Sequence, residues 1–217
     1  MVTSDYHGEV EAARSVAKYA KQRSIDAMIV CGDLTHAGTE EDASDILSTL
    51  LEATSNVLYV SGNFDPPEIS EGVKGAGGIC LHRRSYSLRG YTFLGVSGAI
   101  PAPFYSPFNI SEDEIDAILK VTLRSVEQKE KLVLVSHDPP YSTSLDRTTR
   151  GMNVGSKSIK QFILREKPVL AACGHIHESA GIEEVNSTLA VNPGPAFARK
   201  AALVSLEPKI AGSLIKI

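Results

Sequence analysis

Hydrophobic and polar positions along this chain fall into blocks, and the period changes from block to block. From Glu9 to about Gln22, Val10, Ala13, Ala17 and Ala20 recur every three or four residues, with acids early and bases late, which predicts an amphipathic helix. Ala27–Cys31 and Val57–Val60 are unbroken apolar runs of strand length, each ending near a glycine. Thr39-Glu40-Glu41-Asp42 and Ser111-Glu112-Asp113-Glu114 carry N-cap chemistry. They open helices that continue through Ile46, Leu47, Leu50 and Leu51, and through Ile115, Ile118, Leu119, Leu123 and Val126. Val2–Ser4 reads as a very short first strand. Further strands are expected near Tyr86–Leu88, Tyr91–Val96, Leu132–Val135 and Val169–Cys173, and a helix near Ser158–Arg165. Gly72 to Gly78 and the proline-marked stretch from Pro101 to Pro107 read as loops, and Pro66-Pro67 as a helix stop. After Gly181, short β-like runs around Asn192-Pro193-Gly194-Pro195 predict hairpins. Strand–helix alternation followed by hairpins predicts an α/β chain, a sheet sandwich flanked by helices. No repeat or linker divides it, so residues 1–217 are expected to form one domain.

Composition narrows the partners. The chain has 217 residues and a formal net charge of -4. That balance gives no general surface for nucleic acid or an anionic membrane, so any phosphate binding must be local. No apolar stretch is long enough to span a bilayer and no signal-peptide pattern opens the chain, which predicts a cytoplasmic protein. Cys31 and Cys173 end apolar runs just before a glycine and read as buried thiols; Cys80 reads as structural.

The chemistry lies where the strands stop. In order these places carry Asp5 and His7, Asp33, Asn63, His137, and His175 with His177. Ligands in open α/β sheets gather at the carboxyl ends of strands. Each candidate has a plainer use, since Asp5 and Asp33 could cap helices and Asn63 could sit in a turn. Neither use explains five strand ends with the same character. Seven oxygen and imidazole donors without a thiolate exceed what one ion with an open position needs. They suit two cations about 3.5–4 Å apart, bridged by a carboxylate and a water-derived hydroxide. Mn, Fe, Zn, Co or Ni match such mixed donors better than calcium.

Asp5-Tyr6-His7, Gly32-Asp33, Gly62-Asn63-Phe64-Asp65, Ser136-His137 and Gly174-His175-Ile176-His177 together resemble the calcineurin-like metallophosphoesterases, in that order and over nearly the whole chain. Asn192-Pro193-Gly194-Pro195 is similar to the small, single-domain prokaryotic branch. The resemblance implies a four-layer α/β/β/α sandwich with two divalent metal ions at one end of the sheets. It implies that Asp5, His7, Asp33 and His177 hold the first ion and that Asp33 bridges to a second, completed by Asn63, His137 and His175. The implied activity is in-line hydrolysis of a small phosphate ester by the bridging hydroxide, with Asp33, Asn63 and His137 acting through the metals.

One position departs from the family. A histidine commonly follows the asparagine, and here it is Phe64, which can neither donate a proton nor carry charge. Loss of a general acid costs on the order of 10²–10⁴ in rate. Diesters and activated esters are therefore expected as better substrates than monoesters with poor leaving groups. His36 and Asp65 are candidate substitutes for the proton donor, and Phe64 is a candidate substrate contact. The rival reading is a weakly active or inactive metal-binding scaffold, favoured by Phe64 and by the apolar loop Ile100–Phe108. His82, beside Arg83 and Arg84, reads as a solvated basic patch, and Tyr6, Tyr105, Arg147 and Arg150 as pocket candidates. Gly151 to Ser158 falls one residue short of a P-loop and follows no strand, which excludes ATP binding there.

Overall fold

Alternation inside the buried strands decides the layering. In the computed structural model, which describes residues 1–126 and 131–217, β2 (Met28–Cys31) turns Met28 and Val30 toward one core and Ile29 and Cys31 toward another. A strand buried on both faces must find apolar cover on each side, and here a helix layer and a second sheet supply it. The first sheet runs β12 (Ala211–Lys216), β11 (Lys200–Ser205), β1 (Val2–Thr3), β2, β3 (Val57–Val60) and β4 (Ile79–Cys80). The second runs β5 (Ser85–Leu88), β6 (Tyr91–Val96), β7 (Leu132–Ser136), β8 (Leu170–Ala172), β10 (Thr188–Asn192) and β9 (Gly181–Val185). Helices α1 (Val10–Gln22) and α2 (Glu40–Leu51) cover the outer face of the first sheet. Helices α3 (Glu112–Arg124) and α4 (Lys157–Glu166) cover the second. The sheets meet through Val2, Ile29, Leu58, Val60, Val133, Val135 and Ala172, which completes the α/β/β/α order.

Strands β1, β2 and β3 are mutually parallel, as are β6, β7 and β8, so their carboxyl ends collect at one end of each sheet. The capping boxes read from the sequence form: Thr39 and Asp42 exchange bonds at α2, and Ser111 and Glu114 at α3. Glu112 reaches from the first turn of α3 to the start of α4. It accepts from Ser156 Oγ at 2.7 Å, Lys157 N at 2.7 Å and Ser158 N at 2.9 Å. Partial burial opposes its ionisation, but these donors outweigh burial and hold its carboxyl below the usual glutamate value.

Several expectations change. Pro67 begins a 3₁₀ turn, Pro67–Glu71, because a proline at the first helical position has no amide to lose. Strands β9 and β10 form the expected hairpin, but β10 also pairs in parallel with β8 and so sits between β8 and β9. His82 is 4% exposed, not solvated, and its Nδ1 accepts from Ser97 N at 2.9 Å, despite the two arginines beside it. Tyr6 is fully buried, packed with residues of α1 and α2, and is no exposed pocket wall.

Candidate metal centre

Five parallel strand ends bring the seven donors to one place, and the backbone is bent to do it. Asp5, His7, Asp33 and His175 all lie in the left-handed region, with φ of 57°, 47°, 50° and 68°. Such conformations cost of order 1–3 kcal/mol each, and they cluster where function requires them. Two glycines make room for the donors. A Cβ on Gly62 would collide with Asp33 Oδ1, and one on Gly174 with Ser4 Oγ.

Buried Asp65 ties the loops together. Its oxygens accept from Gly62 N at 2.8 Å, Leu34 N at 3.1 Å and Thr35 N at 2.7 Å, joining the turn after β3 to the turn after β2. Asn192 does the same for the histidine loop, donating to Ile176 O at 3.0 Å and Gly174 O at 3.3 Å. Asp33 Oδ1 accepts from Phe64 N at 2.8 Å, which leaves Oδ2 to face the donors. That oxygen lies 3.6 Å from His7 Nε2 and 3.5 Å from His137 Nε2, between the two groups of candidate ligands. His177 Nε2 approaches Asp5 Oδ1 at 3.2 Å.

Nitrogen and oxygen lone pairs converge here with little to separate them. His137 Nδ1 lies 2.7 Å from the Cys31 carbonyl, which can only accept, so Nδ1 carries a proton and Nε2 is the ring atom turned toward the other donors. That Nε2 stands 3.0 Å from Asn63 Oδ1, to which the protonated ring donates. A metal ion taking this place would displace the Nε2 proton and draw on both atoms. Two ligands at right angles on one ion, each about 2.1 Å from it, are also about 3 Å apart. Burial opposes charge on His137, but Asp33, Asp5 and the Cys31 carbonyl outweigh it and push its pKa up to about 10. Burial likewise opposes charge on Asp5, and His177 and His137 overcome it, holding the carboxyl far below the usual range. His7 and His175 go the other way: burial lowers both, His175 to about 4, keeping them neutral as ligands require. The pocket therefore attracts cations and offers mixed oxygen and nitrogen donors. Asp5, His7 and His177 form one group able to hold an ion, and Asp5, Asp33 and His137 another. The donor set fits a pair of cations.

The other candidates fall around this centre. His36 lies on the exposed rim with Nδ1 3.0 Å from His7 Nδ1, stacked on Phe64. Tyr105, Arg147 and Arg150 are exposed loop residues. Sequence reasoning missed Asp138. It is fully buried, its Oδ2 accepts from Ile100 N at 2.7 Å, and its Oδ1 has no hydrogen-bond partner among the described residues and lies 3.9 Å from His175 Nε2. Burial, ahead of all other effects, raises its pKa to about 7. The available signal was an acid directly following His137.

Residues 1–206 match the calcineurin-like phosphoesterase superfamily domain, and the chain belongs to that family of metal-dependent phosphoesterases. It is 34% identical over 197 residues to the uncharacterized protein MJ1162 of Methanocaldococcus jannaschii, covering 88% of this chain and 86% of that one. Its fold matches TT1561 of Thermus thermophilus with a TM-score of 0.76 at 22% identity, over 98% of this chain and 96% of that one. It also matches an archaeal phosphodiesterase with a TM-score of 0.60 at 15% identity, over 100% and 98%. Among the described residues, no helix is long and apolar enough to cross a membrane.

Proposed function

We propose that this protein is a dinuclear metal-dependent phosphoesterase that prefers phosphodiesters and activated esters. The observation that carries this reading is the close approach of Asn63 Oδ1, Asp33 Oδ2 and His137 Nε2, three groups gathered around one positive charge, which a metal ion would supply in place of the ring proton. Asp5, His7, Asp33 and His177 would hold one ion, and Asn63, His137 and His175 the other, with Asp33 common to both. Bound there, the ions would neutralise phosphate charge and make water a nucleophile near neutral pH.

The chain's own residues then do the positioning. The Cys31 carbonyl fixes the His137 tautomer, and Phe64 N fixes the rotation of the Asp33 carboxylate. Asp138 faces His175 Nε2, which leaves Nδ1 of that ring free for an ion. Phe64 contributes no proton. His36 stands on the exposed rim beside it, whereas both oxygens of Asp65 are taken by backbone amides. Proton delivery to a leaving oxygen thus falls to His36 or to solvent, and Asp65 braces the loops.

The scaffold reading draws on Phe104 and Tyr105, which are 51% and 85% exposed on the loop beside the site. A panel of monoesters and diesters, assayed with each of Mn²⁺, Zn²⁺, Co²⁺ and Ni²⁺, decides between the two readings. The expected result is metal-dependent diester cleavage, with rate rising as leaving-group pKa falls. No turnover of any ester with ions bound would leave the scaffold.

A further inference from the structure

Hydrolysis as proposed leaves a set of aromatic rings at the mouth of the site without a task. His36 and Phe64 stack with centroids 4.6 Å apart and planes 15° apart. Phe104 continues the series 6.0 Å beyond Phe64 at 8°. Phe64 stands edge-on to the ring of His7 at 5.6 Å, and Phe197 lies 5.6 Å from His7 and 5.3 Å from His177. Aromatic rings therefore stand against two candidate ion ligands. The series does not close on itself as a core cluster would, since Phe104 is 51% and Phe197 41% exposed.

The loop bearing Phe104 is held in register with the donors. Phe108 N donates to Asn63 O at 3.1 Å, Ile100 N donates to Asp138 Oδ2 at 2.7 Å, and Ala99 bridges Asn109. Two of these anchors belong to the metal centre or its immediate support, so ring faces and ion ligands keep a fixed relation. Parallel flat faces beside a phosphate site favour a flat ligand over an aliphatic one, because stacking adds to the gain from excluding water.

We propose that the exposed ring of Phe104, backed by the Phe64–His36 stack, forms a subsite for a planar aromatic ring carried on the bound phosphate, with a nucleobase as its occupant. The inference rests on the phosphoesterase reading above and names its substrate class as nucleotide esters. Recognition through ring faces tolerates any base, since every base has a π-face. Phe64 then has two effects: it removes a proton donor and backs the Phe104 ring.

The test compares two ligands that differ only by the base, adenosine 5′-monophosphate and ribose 5-phosphate, titrated calorimetrically into the Mn²⁺-loaded protein. The nucleotide is expected to bind roughly tenfold more tightly, the size of one base–aromatic stack. Phe104→Ala and Phe104→Leu should reduce the ratio to within about twofold, while Phe104→Tyr, which keeps a flat ring, should retain it. Phe104 lies on an exposed loop, and circular dichroism checks that each variant is folded. Equal affinities in the wild type, or a ratio unchanged in Phe104→Ala, would overturn the subsite and leave the hydrolase standing. Failure of both ligands to bind, with no ester cleaved, would overturn the phosphoesterase reading itself.

Discussion

The two sheets contribute unlike halves of the centre. The first supplies all three candidate oxygen ligands, Asp5, Asp33 and Asn63, with one imidazole, His7; the second supplies candidate imidazole ligands only, His137, His175 and His177. In each half a buried side chain clasps the backbone of the loops, Asp65 across the turns after β2 and β3 and Asn192 beneath the histidine loop. The halves differ in backbone strain: three of the first half's four donors sit on left-handed residues, against His175 alone of the second half's three, which Asp138 faces. Neither half is a site alone. What sets their separation is the apolar interface between the sheets, reached directly by the His137–Cys31 bond. Packing between the sheets is therefore expected to bear on the separation of the candidate ligands.

Changes at four positions test that division. The largest effect is expected at the shared ligand: Asp33→Asn removes the charge that both halves use and should lower diester turnover by at least on the order of 10³, with one ion lost per chain. A retained pair of ions would mean that Asp33 is not the bridge. Next, Leu58→Ala opens a cavity between the sheets and should cost about 2–5 kcal/mol in denaturant unfolding. If the halves are coupled as described, ion affinity falls with it; unchanged affinity would separate the two. Asp138→Asn touches only the second half and should weaken ion binding by about 10–100-fold while the fold stays intact. The smallest effect is expected furthest from the centre. Glu112→Ala leaves the amides at the start of α4 without an acceptor and should cost about 1–3 kcal/mol. Because the folded carboxyl lies below its ordinary value of 4.5, its contribution is complete above that pH and disappears as pH falls through the folded value. Glu112→Gln should abolish that slope.

Legibility in the sequence followed the range of the forces involved. The capped starts of α2 and α3 were readable because Thr39–Asp42 and Ser111–Glu114 act within one helical turn. The buried strands were readable because both of their faces must be apolar. The seven donors stood out because strand ends place them, and strands are local. Contacts between distant segments were not readable. Nothing near β10 signals that it inserts beside β8. Arg83 and Arg84 suggested solvent around His82, yet Ser97 and Gly95 bury it. Asp138 looked like an ordinary loop acid until Ile100 and His175 stood beside it.

Counting ions tests the central claim most directly. The protein is equilibrated with excess Mn²⁺, freed of unbound metal, and analysed for metal against chain concentration. Two ions per chain in the wild type and one in a folded Asn63→Ala variant are predicted. One ion or none in the wild type, repeated with Zn²⁺, Fe²⁺, Co²⁺ and Ni²⁺, would contradict a shared centre built from both sheets.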